Sequence, residues 1–309
     1  MTEYLAAIDV GTNSVLLTVA RRREDGELEV VEQRATVTRL GQGVDQSGRL
    51  HPDAEERTLF CLKEYRALIA KHAQLRCAAV GTSALRDAQG GVDFVKRAEQ
   101  LLGFPLEVIS GDREAELTFN GAILGLSVSG RACVFDIGGG STELIIGDAD
   151  TGAIESSISL NLGSVRLTER LALSDPPSME QGHRLKQEIE QQLAHFDLNN
   201  ARGLPLIGVA GTVTTLAAIS LGMVHYEADF IHGAVLKADE LRLLSERLLY
   251  LSLAERLQLP GLSPGRADVI GAGAVLCSTI VEQAGASELI VSDRGVRFGL
   301  LRLLADVAR

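Results

Sequence analysis

The chain has no tryptophan, and its four tyrosines and eight phenylalanines are spread thinly over 309 residues. That argues against aromatic platforms on which successive bases of a single strand could stack. Basic charge is also short: 30 Lys and Arg against 41 Asp and Glu leave a net charge of −11, whereas a general nucleic-acid binder carries a basic stripe. Any polyanion site must therefore be local, built from a few arginines and a metal. The four cysteines, Cys61, Cys77, Cys133 and Cys277, form no C-x-x-C pair, and three lie in apolar runs that predict buried free thiols. The six histidines are scattered without paired zinc spacing, and His232 reads first as a satisfied structural histidine. There is no G-x-x-x-x-G-K-[ST], no H-E-x-x-H and no G-x-S-x-G, which removes P-loop, zincin and nucleophile-elbow chemistry. No apolar run is long enough to span a bilayer, and the N-terminus reads as a strand rather than an export signal. The expectation is a cytoplasmic protein with no membrane and no nucleic-acid partner.

What the chain does have is an apolar fraction of 46% with interspersed charge, suited to a folded protein of two domains at this length. Its organising stretch is Asp136-Ile-Gly-Gly-Gly-Ser-Thr-Glu143, between the apolar runs Ala132–Phe135 and Leu144–Ile146. The pattern predicts a β-hairpin. Its turn, Gly138, Gly139, Gly140 and Ser141, has no bulky side chains and can present backbone N–H groups to an anion. Two carboxylates flanking such a turn repel a bare phosphate, so a divalent cation between carboxylates and phosphate oxygens is expected.

The turn has a twin in Asp9-Val-Gly-Thr-Asn-Ser14, between Leu5–Ile8 and Val15–Val19. Asp9 matches Asp136, Gly11 matches Gly138 and Ser14 matches Ser141. Each copy precedes a third strand-like run, so the reading is a duplicated domain with one phosphate-gripping hairpin per copy, facing each other across a cleft. The first domain is expected over residues 1–125, with a final helix at 295–309 packing back on it, and the second over 126–294.

Between the hairpins, periodicity predicts a helix from Pro52 to about Ala73, a strand at Cys77–Val80, a helix closed by Gly103, and a strand at Leu106–Ile109. Ser110-Gly-Asp-Arg-Glu-Ala-Glu then opens a helix towards Leu126. Acidic residues in a first helical turn complement the helix dipole, and a strand–glycine–helix junction is also where α/β folds place catalytic groups; both readings stay open for Asp112, Glu114 and Glu116. Further on, Ser178 is a predicted N-cap for a helix to Phe196. Leu206–Val209 is a predicted strand that runs into Ala210-Gly-Thr212, a third strand–turn–helix junction suited to phosphate. A helix over Asp239–Arg256, a strand at Leu289–Val291 and a helix over Val296–Val307 complete the reading.

Taken together, Ile8–Ser14, Gly81-Thr-Ser-Ala-Leu-Arg86, Ser110–Ala115, Asp136–Glu143, Leu162-Gly-Ser-Val-Arg166, Ala210–Thr212, Arg266-Ala-Asp-Val-Ile270 and Ser292-Asp-Arg-Gly-Val-Arg297 resemble the exopolyphosphatase/guanosine pentaphosphate phosphatase family. The resemblance implies an α/β protein of two ribonuclease-H-like domains around a central cleft, as in actin, sugar kinases and heat-shock ATPases. It implies hydrolysis of the terminal phosphoanhydride of inorganic polyphosphate, or of guanosine pentaphosphate (pppGpp), with Mg²⁺ or Mn²⁺; homodimerisation is left open. Carried over, the catalytic glutamate falls on Glu114, the acidic metal-binding positions on Asp9, Asp136 and Glu143, and the phosphate-binding arginine on Arg86. The expected phosphate contacts come from Thr12, Asn13, Ser14, the Gly138–Ser141 turn, Gly211 and Thr212. The sequence departs from the family at Phe298, where many relatives carry Glu, and in lacking the C-terminal domains of longer members, from which short substrates and distributive action are expected. A sugar kinase of the same superfamily and a non-catalytic sensor of pppGpp or ppGpp are the competing readings.

Overall fold

Three strand-like runs at the head of the chain form an antiparallel meander, β1 (Tyr4–Val10), β2 (Ser14–Arg22) and β3 (Leu28–Val37). The computed structural model describes residues 3–23, 25–73 and 75–306. It divides into two compact units, Met1–Gly121 with Val296–Arg309, and Ala122–Gly295.

In the first unit, β4 (Leu75–Gly81) pairs parallel with β1, and β5 (Leu106–Val108) pairs parallel with β4. The sheet order is β3-β2-β1-β4-β5. Central β1 is covered on both faces, which is why Leu5 to Ile8 are all fully buried and the run does not alternate. The helix Pro52–Ile69 lays Leu59, Leu62, Tyr65 and Ile69 on the sheet, joined by Phe94, Ala98 and Leu102 of the helix Gly91–Leu102. Truncating one of these large side chains, Leu62→Ala for example, costs about 2–5 kcal/mol. The helix Val296–Asp306 belongs to this unit and packs on β1. Gly299 allows its close approach, since a methyl there would lie 2.2 Å from the Leu117 carbonyl oxygen. Val307, the expected last residue of this helix, lies outside the described residues.

The second unit repeats the plan. β6 (Arg131–Ile137), β7 (Thr142–Asp148) and β8 (Ile154–Leu160) form the meander. β9 (Leu206–Val209) lies parallel to β6, edge strand β10 (Val235–Lys237) is antiparallel to its neighbour, and that neighbour, β11 (Glu288–Val291), is parallel to β9. The order β8-β7-β6-β9-β11 repeats that of the first sheet, so both units have the ribonuclease-H-like arrangement.

The structure corrects several predicted boundaries. The helix expected to reach Ala73 stops at Ile69, its last buried residue. The helix expected to run to Leu126 stops at Ala122. There, Ser292 Oγ donates to the Ala122 carbonyl and Arg294 Nη1 to the Leu124 carbonyl, capturing groups that would otherwise have continued the ladder. The helix expected to reach Phe196 stops at Leu193. The single helix expected over Asp239–Arg256 is two, Ala238–Tyr250 and Leu253–Arg256. Ser252 and Glu255 form a capping box that starts the second piece, and Asp175 accepts from Leu253 N and Arg256 Nη2. The helix Ile270–Gln283 was not foreseen. It is apolar on nearly every face and buried along most of its length, so it gives no 3.6-residue signal. Among the described residues no helix is long and apolar enough to cross a membrane.

Candidate active site

The first unit carries Asp9 at the end of β1, where its cross-strand partner on β2 is Leu16. Between these strands Gly11 N donates to the Ser14 carbonyl at 3.0 Å, closing the turn that holds Thr12, Asn13 and Ser14, all buried. Thr38 N and Arg39 N donate to the Asn13 carbonyl and Gly41 N to the Thr12 carbonyl, so a following segment fixes the turn from behind. Thr12 Oγ1 also bonds Ser83 Oγ at 2.8 Å, tying the turn to the short helix Ser83–Asp87 that carries Arg86. Two buried polar atoms of this hairpin, Asp9 Oδ1 and Asn13 Nδ2, have no hydrogen-bond partner among the described residues. One is an acceptor and the other a donor. Burial raises the Asp9 carboxyl from 3.8 to about 6, against the opposing pull of the Arg297 guanidinium.

Glu114 sits in the first turn of the helix Gly111–Ala122 and is buried. Arg86 Nη1 donates to Glu114 Oε2 at 3.1 Å and to the Ile109 carbonyl at 3.0 Å. The arginine foreseen as a phosphate grip is thus engaged with the glutamate foreseen as the base. Twenty-eight residues separate them, and no periodicity reports such a pair.

The second unit carries a carboxylate pair. Asp136 on β6 and Glu143 on β7 are directly opposite in the antiparallel register and both are buried. Cross-strand partners have Cβ atoms about 4.5–5.5 Å apart. Ser159 Oγ, from β8, donates to Glu143 Oε1 at 2.7 Å. Gly138 N donates to the Ser141 carbonyl at 3.0 Å, the same closure as in the twin. Ser164 N bonds the Gly138 carbonyl, Val165 N and Arg166 N bond the Gly139 carbonyl, and Arg166 Nε bonds the Gly140 carbonyl at 2.6 Å. The carbonyls of the turn are thus held by the segment that follows β8. Gly163 makes this possible: a methyl there would lie 2.4 Å from the Gly139 carbonyl oxygen.

The third junction lies beside this turn. Val209 is in register with Asp136 across β9 and β6, and the next residue, Ala210, adopts the left-handed φ of 67° as the chain turns into the helix Ala210–Ser220. Gly211 meets the Arg266 guanidinium so closely that a methyl would be 1.9 Å from Nη1. Burial pushes the Arg266 pKa down while Tyr226 acts to raise it. Gly273, on the unforeseen helix, leaves room for Thr212 and Ser164 together. Sequence reasoning assigned no role to Arg266, Arg297, Ser83 or Ser164; all four lie in motifs already noticed, but nothing in the sequence says what they touch.

His232 is the structural histidine foreseen: Nε2 bonds the Leu124 carbonyl at 3.0 Å and Nδ1 lies 3.3 Å from Ser292 Oγ. Cys61, Cys133 and Cys277 are buried free thiols, and Cys77 is half-buried. Phe298 is buried under Arg297, whose guanidinium carbon lies 5.5 Å from the ring centroid. Among the described residues no three His, Cys, Asp or Glu side chains form a ready-made metal cage. A cation here would need ligand or water oxygens besides carboxylates, as is usual for Mg²⁺. Within the second unit the opposed Asp136–Glu143 pair fits such an ion, and within the first the orphaned Asp9 Oδ1 is an acceptor of the same kind.

The profile of the Ppx/GppA phosphatase family matches residues 18–306. The chain belongs to the Ppx/GppA phosphatase family. It is 38% identical to the exopolyphosphatase 2 of Mycobacterium tuberculosis, over 97% of this chain and 98% of that protein. The crystal structure of the Aquifex aeolicus family member is similar at 33% identity and a TM-score of 0.82, over 100% of this chain and 98% of that one. An exopolyphosphatase structure from Cytophaga hutchinsonii has a TM-score of 0.91 at 26% identity, over 99% and 98% of the two chains. The family places the protein among phosphatases and fits both sheets.

Proposed function

We propose that this Ppx/GppA phosphatase removes the terminal phosphate of inorganic polyphosphate by water attack on the phosphoanhydride, assisted by Mg²⁺ or Mn²⁺. The observation that carries the reading is the orphaned pair on the first hairpin. A buried acceptor, Asp9 Oδ1, and a buried donor, Asn13 Nδ2, suit a cation and a phosphate oxygen respectively. Curated relatives named as exopolyphosphatases supply the substrate.

Glu114 orients the attacking water and takes up its proton. Arg86 fixes the glutamate and offers its remaining N–H groups to phosphate oxygens. Asn13, Thr12 and Ser14 on one hairpin, and the amides of Gly139, Gly140 and Ser141 on the other, hold phosphate oxygens, with Gly211 and Thr212 alongside. In the second unit Asp136 and Glu143 would hold a divalent cation, and in the first Asp9 is the carboxylate suited to one; the charge of such an ion would neutralise the transferred phosphoryl group. Removal of the terminal phosphate of pppGpp is the second reading, from the same family and the same phosphate chemistry. The net charge of −11 weakens attraction for phosphates far from the site, because surface fields decay over about 8–10 Å at physiological salt. Short chains and release between cuts follow.

A substrate panel tests this. Purified protein should release orthophosphate from tripolyphosphate and longer polyphosphate with Mg²⁺ present. pppGpp serves as the parallel substrate, and ATP with a set of sugars tests for a kinase. Sugar phosphorylation, or binding of every polyphosphate without turnover, would overturn the proposal. On long polyphosphate, a gel should show the whole population shortening through intermediate lengths.

A further inference from the structure

The first hairpin rests on a buried side chain that the proposed reaction leaves unused. Tyr65, on the helix Pro52–Ile69, is 2% exposed. Its hydroxyl donates to the Val15 carbonyl at 3.1 Å and bonds Thr36 Oγ1 at 2.9 Å. A phenol has one proton, so with that proton on Val15 the threonine hydroxyl is the donor of the second bond. Val15 follows Ser14 at the exit of the turn, and Thr36 is its register partner on β3. Two residues beyond Thr36 begins the segment whose amides, Thr38 N, Arg39 N and Gly41 N, bind the Asn13 and Thr12 carbonyls. Within that segment Arg39 has a left-handed φ of 54°, which a residue with a side chain keeps only where its surroundings impose it. The same helix reaches the segment once more: Arg57 Nε donates to the Thr38 carbonyl at 3.1 Å and Nη2 to Gln42 Oε1 at 3.0 Å. Arg57 and Tyr65 are two steps of four apart and share one side of the helix.

We propose that Tyr65 is a positioning residue for the phosphate turn: its hydroxyl, seconded by Arg57, fixes Thr12, Asn13 and Ser14 in the shape that receives phosphate and makes no contact with the substrate. A turn that is ordered before the anion arrives binds it more tightly, because ordering it during binding would subtract from the affinity. One hydroxyl suits this task because it ties the strand that leaves the turn to the strand that leads into the segment behind it. Replacing Tyr65 by phenylalanine keeps the ring in the core and removes both hydrogen bonds, leaving the Thr36 hydroxyl and the Val15 carbonyl without that partner. A tyrosine that only stabilised the unit would then lower its melting point and leave the turn of the remaining folded molecules as it was. A positioning tyrosine loosens the turn itself. The inference rests on the reading of Thr12, Asn13 and Ser14 as phosphate contacts.

The test measures hydrogen exchange and the calorimetric titration of pyrophosphate with Mg²⁺, both on the full chain. In Tyr65→Phe, exchange should quicken about tenfold over residues 11–16 and 36–42, as expected for one lost hydrogen bond, and stay unchanged in the helix Gly91–Leu102 of the same unit. Pyrophosphate should bind about three- to tenfold more weakly. With tripolyphosphate, KM should rise by a similar factor and kcat change little, because Glu114 and Arg86 keep their own bond. Arg57→Lys, at an exposed position, keeps the charge and loses the fork; it should give a smaller shift in the same stretches. Thr58→Val removes a buried hydroxyl of the same helix that donates to the Ala54 carbonyl, and should leave exchange at the turn and affinity as they were. Exchange that quickens evenly across the first unit, or equal losses in Tyr65→Phe and Thr58→Val, would make Tyr65 a general stabiliser and overturn the proposal. So would a loosened turn with pyrophosphate affinity unchanged. Phosphate release from tripolyphosphate by the unsubstituted protein is measured beside these: its absence counts against the proposed function, whereas the exchange pattern decides the hold of Tyr65 on the turn in either case.

Discussion

The two hairpins have the same closure and different chemistry. Gly11 N to the Ser14 carbonyl and Gly138 N to the Ser141 carbonyl are both 3.0 Å, and behind each turn a glycine, Gly41 or Gly163, lets another segment approach its backbone or side chains. Yet opposite Asp9 stands Leu16, and opposite Asp136 stands Glu143. The first hairpin offers one carboxylate, with an unbonded buried oxygen and a neighbouring arginine. The second offers two carboxylates, one of them fixed by Ser159. A repeated fold thus preserves the closure of the turn, while the residue opposite the aspartate, Leu16 or Glu143, decides how many carboxylates each copy offers.

The largest expected effect lies outside both hairpins and sets the scale for them. Glu114→Gln keeps volume and removes the base, so turnover should fall by about two to four orders of magnitude with substrate still bound. If Glu114 only complements the helix dipole and Arg86, turnover should survive with a small loss of stability. Kinetics and binding on the same preparation separate the two.

Asp136→Asn should raise the Mg²⁺ concentration for half-maximal activity by about tenfold, because the amide keeps the shape and loses the charge. Asp9→Asn should raise it less. Equal shifts in the two variants would erase the distinction between the hairpins.

Gly163→Ala drives a methyl into the Gly139 backbone at 2.4 Å, and backbone cannot rotate away as a side chain can. A loss of about 1–3 kcal/mol in chemical denaturation is expected. Gly11→Ala meets only the Ser14 carbonyl, at 3.2 Å, and should cost less. A larger loss at Gly11 would show that the first turn is the more tightly enclosed.

The smallest effect is on stability and depends on pH. The Asp9 carboxyl is raised from 3.8 to about 6. Between those values the folded state binds more protons than the unfolded chain, so stability falls as pH rises through the window, and the whole cost stands above it. Metal-free Asp9→Asn should therefore melt higher than the unsubstituted protein at pH 8 and no higher at pH 4. The shift sets a ceiling of about 3 kcal/mol. That shift is already net of the attraction of Arg297. Added Mg²⁺ should narrow the gap at pH 8. A lower melting point for the variant at pH 8 would show that Arg297 outweighs burial.

Much of this was legible in the chain. Both hairpins announce themselves by glycine-rich turns between apolar runs, and the repeat predicts the duplicated sheet. Gly103 stops its helix as a left-handed C-cap, and Ser178 starts its helix with a capping box, both local chemistry that sequence reports well. Three features were not legible, each for a physical reason. The helix Ile270–Gln283 has no polar face and hence no period. The break at Ser252 depends on Asp175, seventy-eight residues before Leu253, whose N–H it accepts. The contacts of Arg86 with Glu114 and of Arg266 with Gly211, and the charge that Arg297 exerts on Asp9, are all long-range, made by topology rather than by neighbouring residues.

The central claim is a cation-assisted phosphoanhydride hydrolysis, and one titration meets it directly. Protein stripped with a chelator is supplied with tripolyphosphate, and orthophosphate release is followed as Mg²⁺ is added back. The account predicts negligible release without the ion and a saturating rise with it, displaced to higher Mg²⁺ in Asp136→Asn. Undiminished release in excess chelator, or a curve that Asp136→Asn leaves in place, would contradict it.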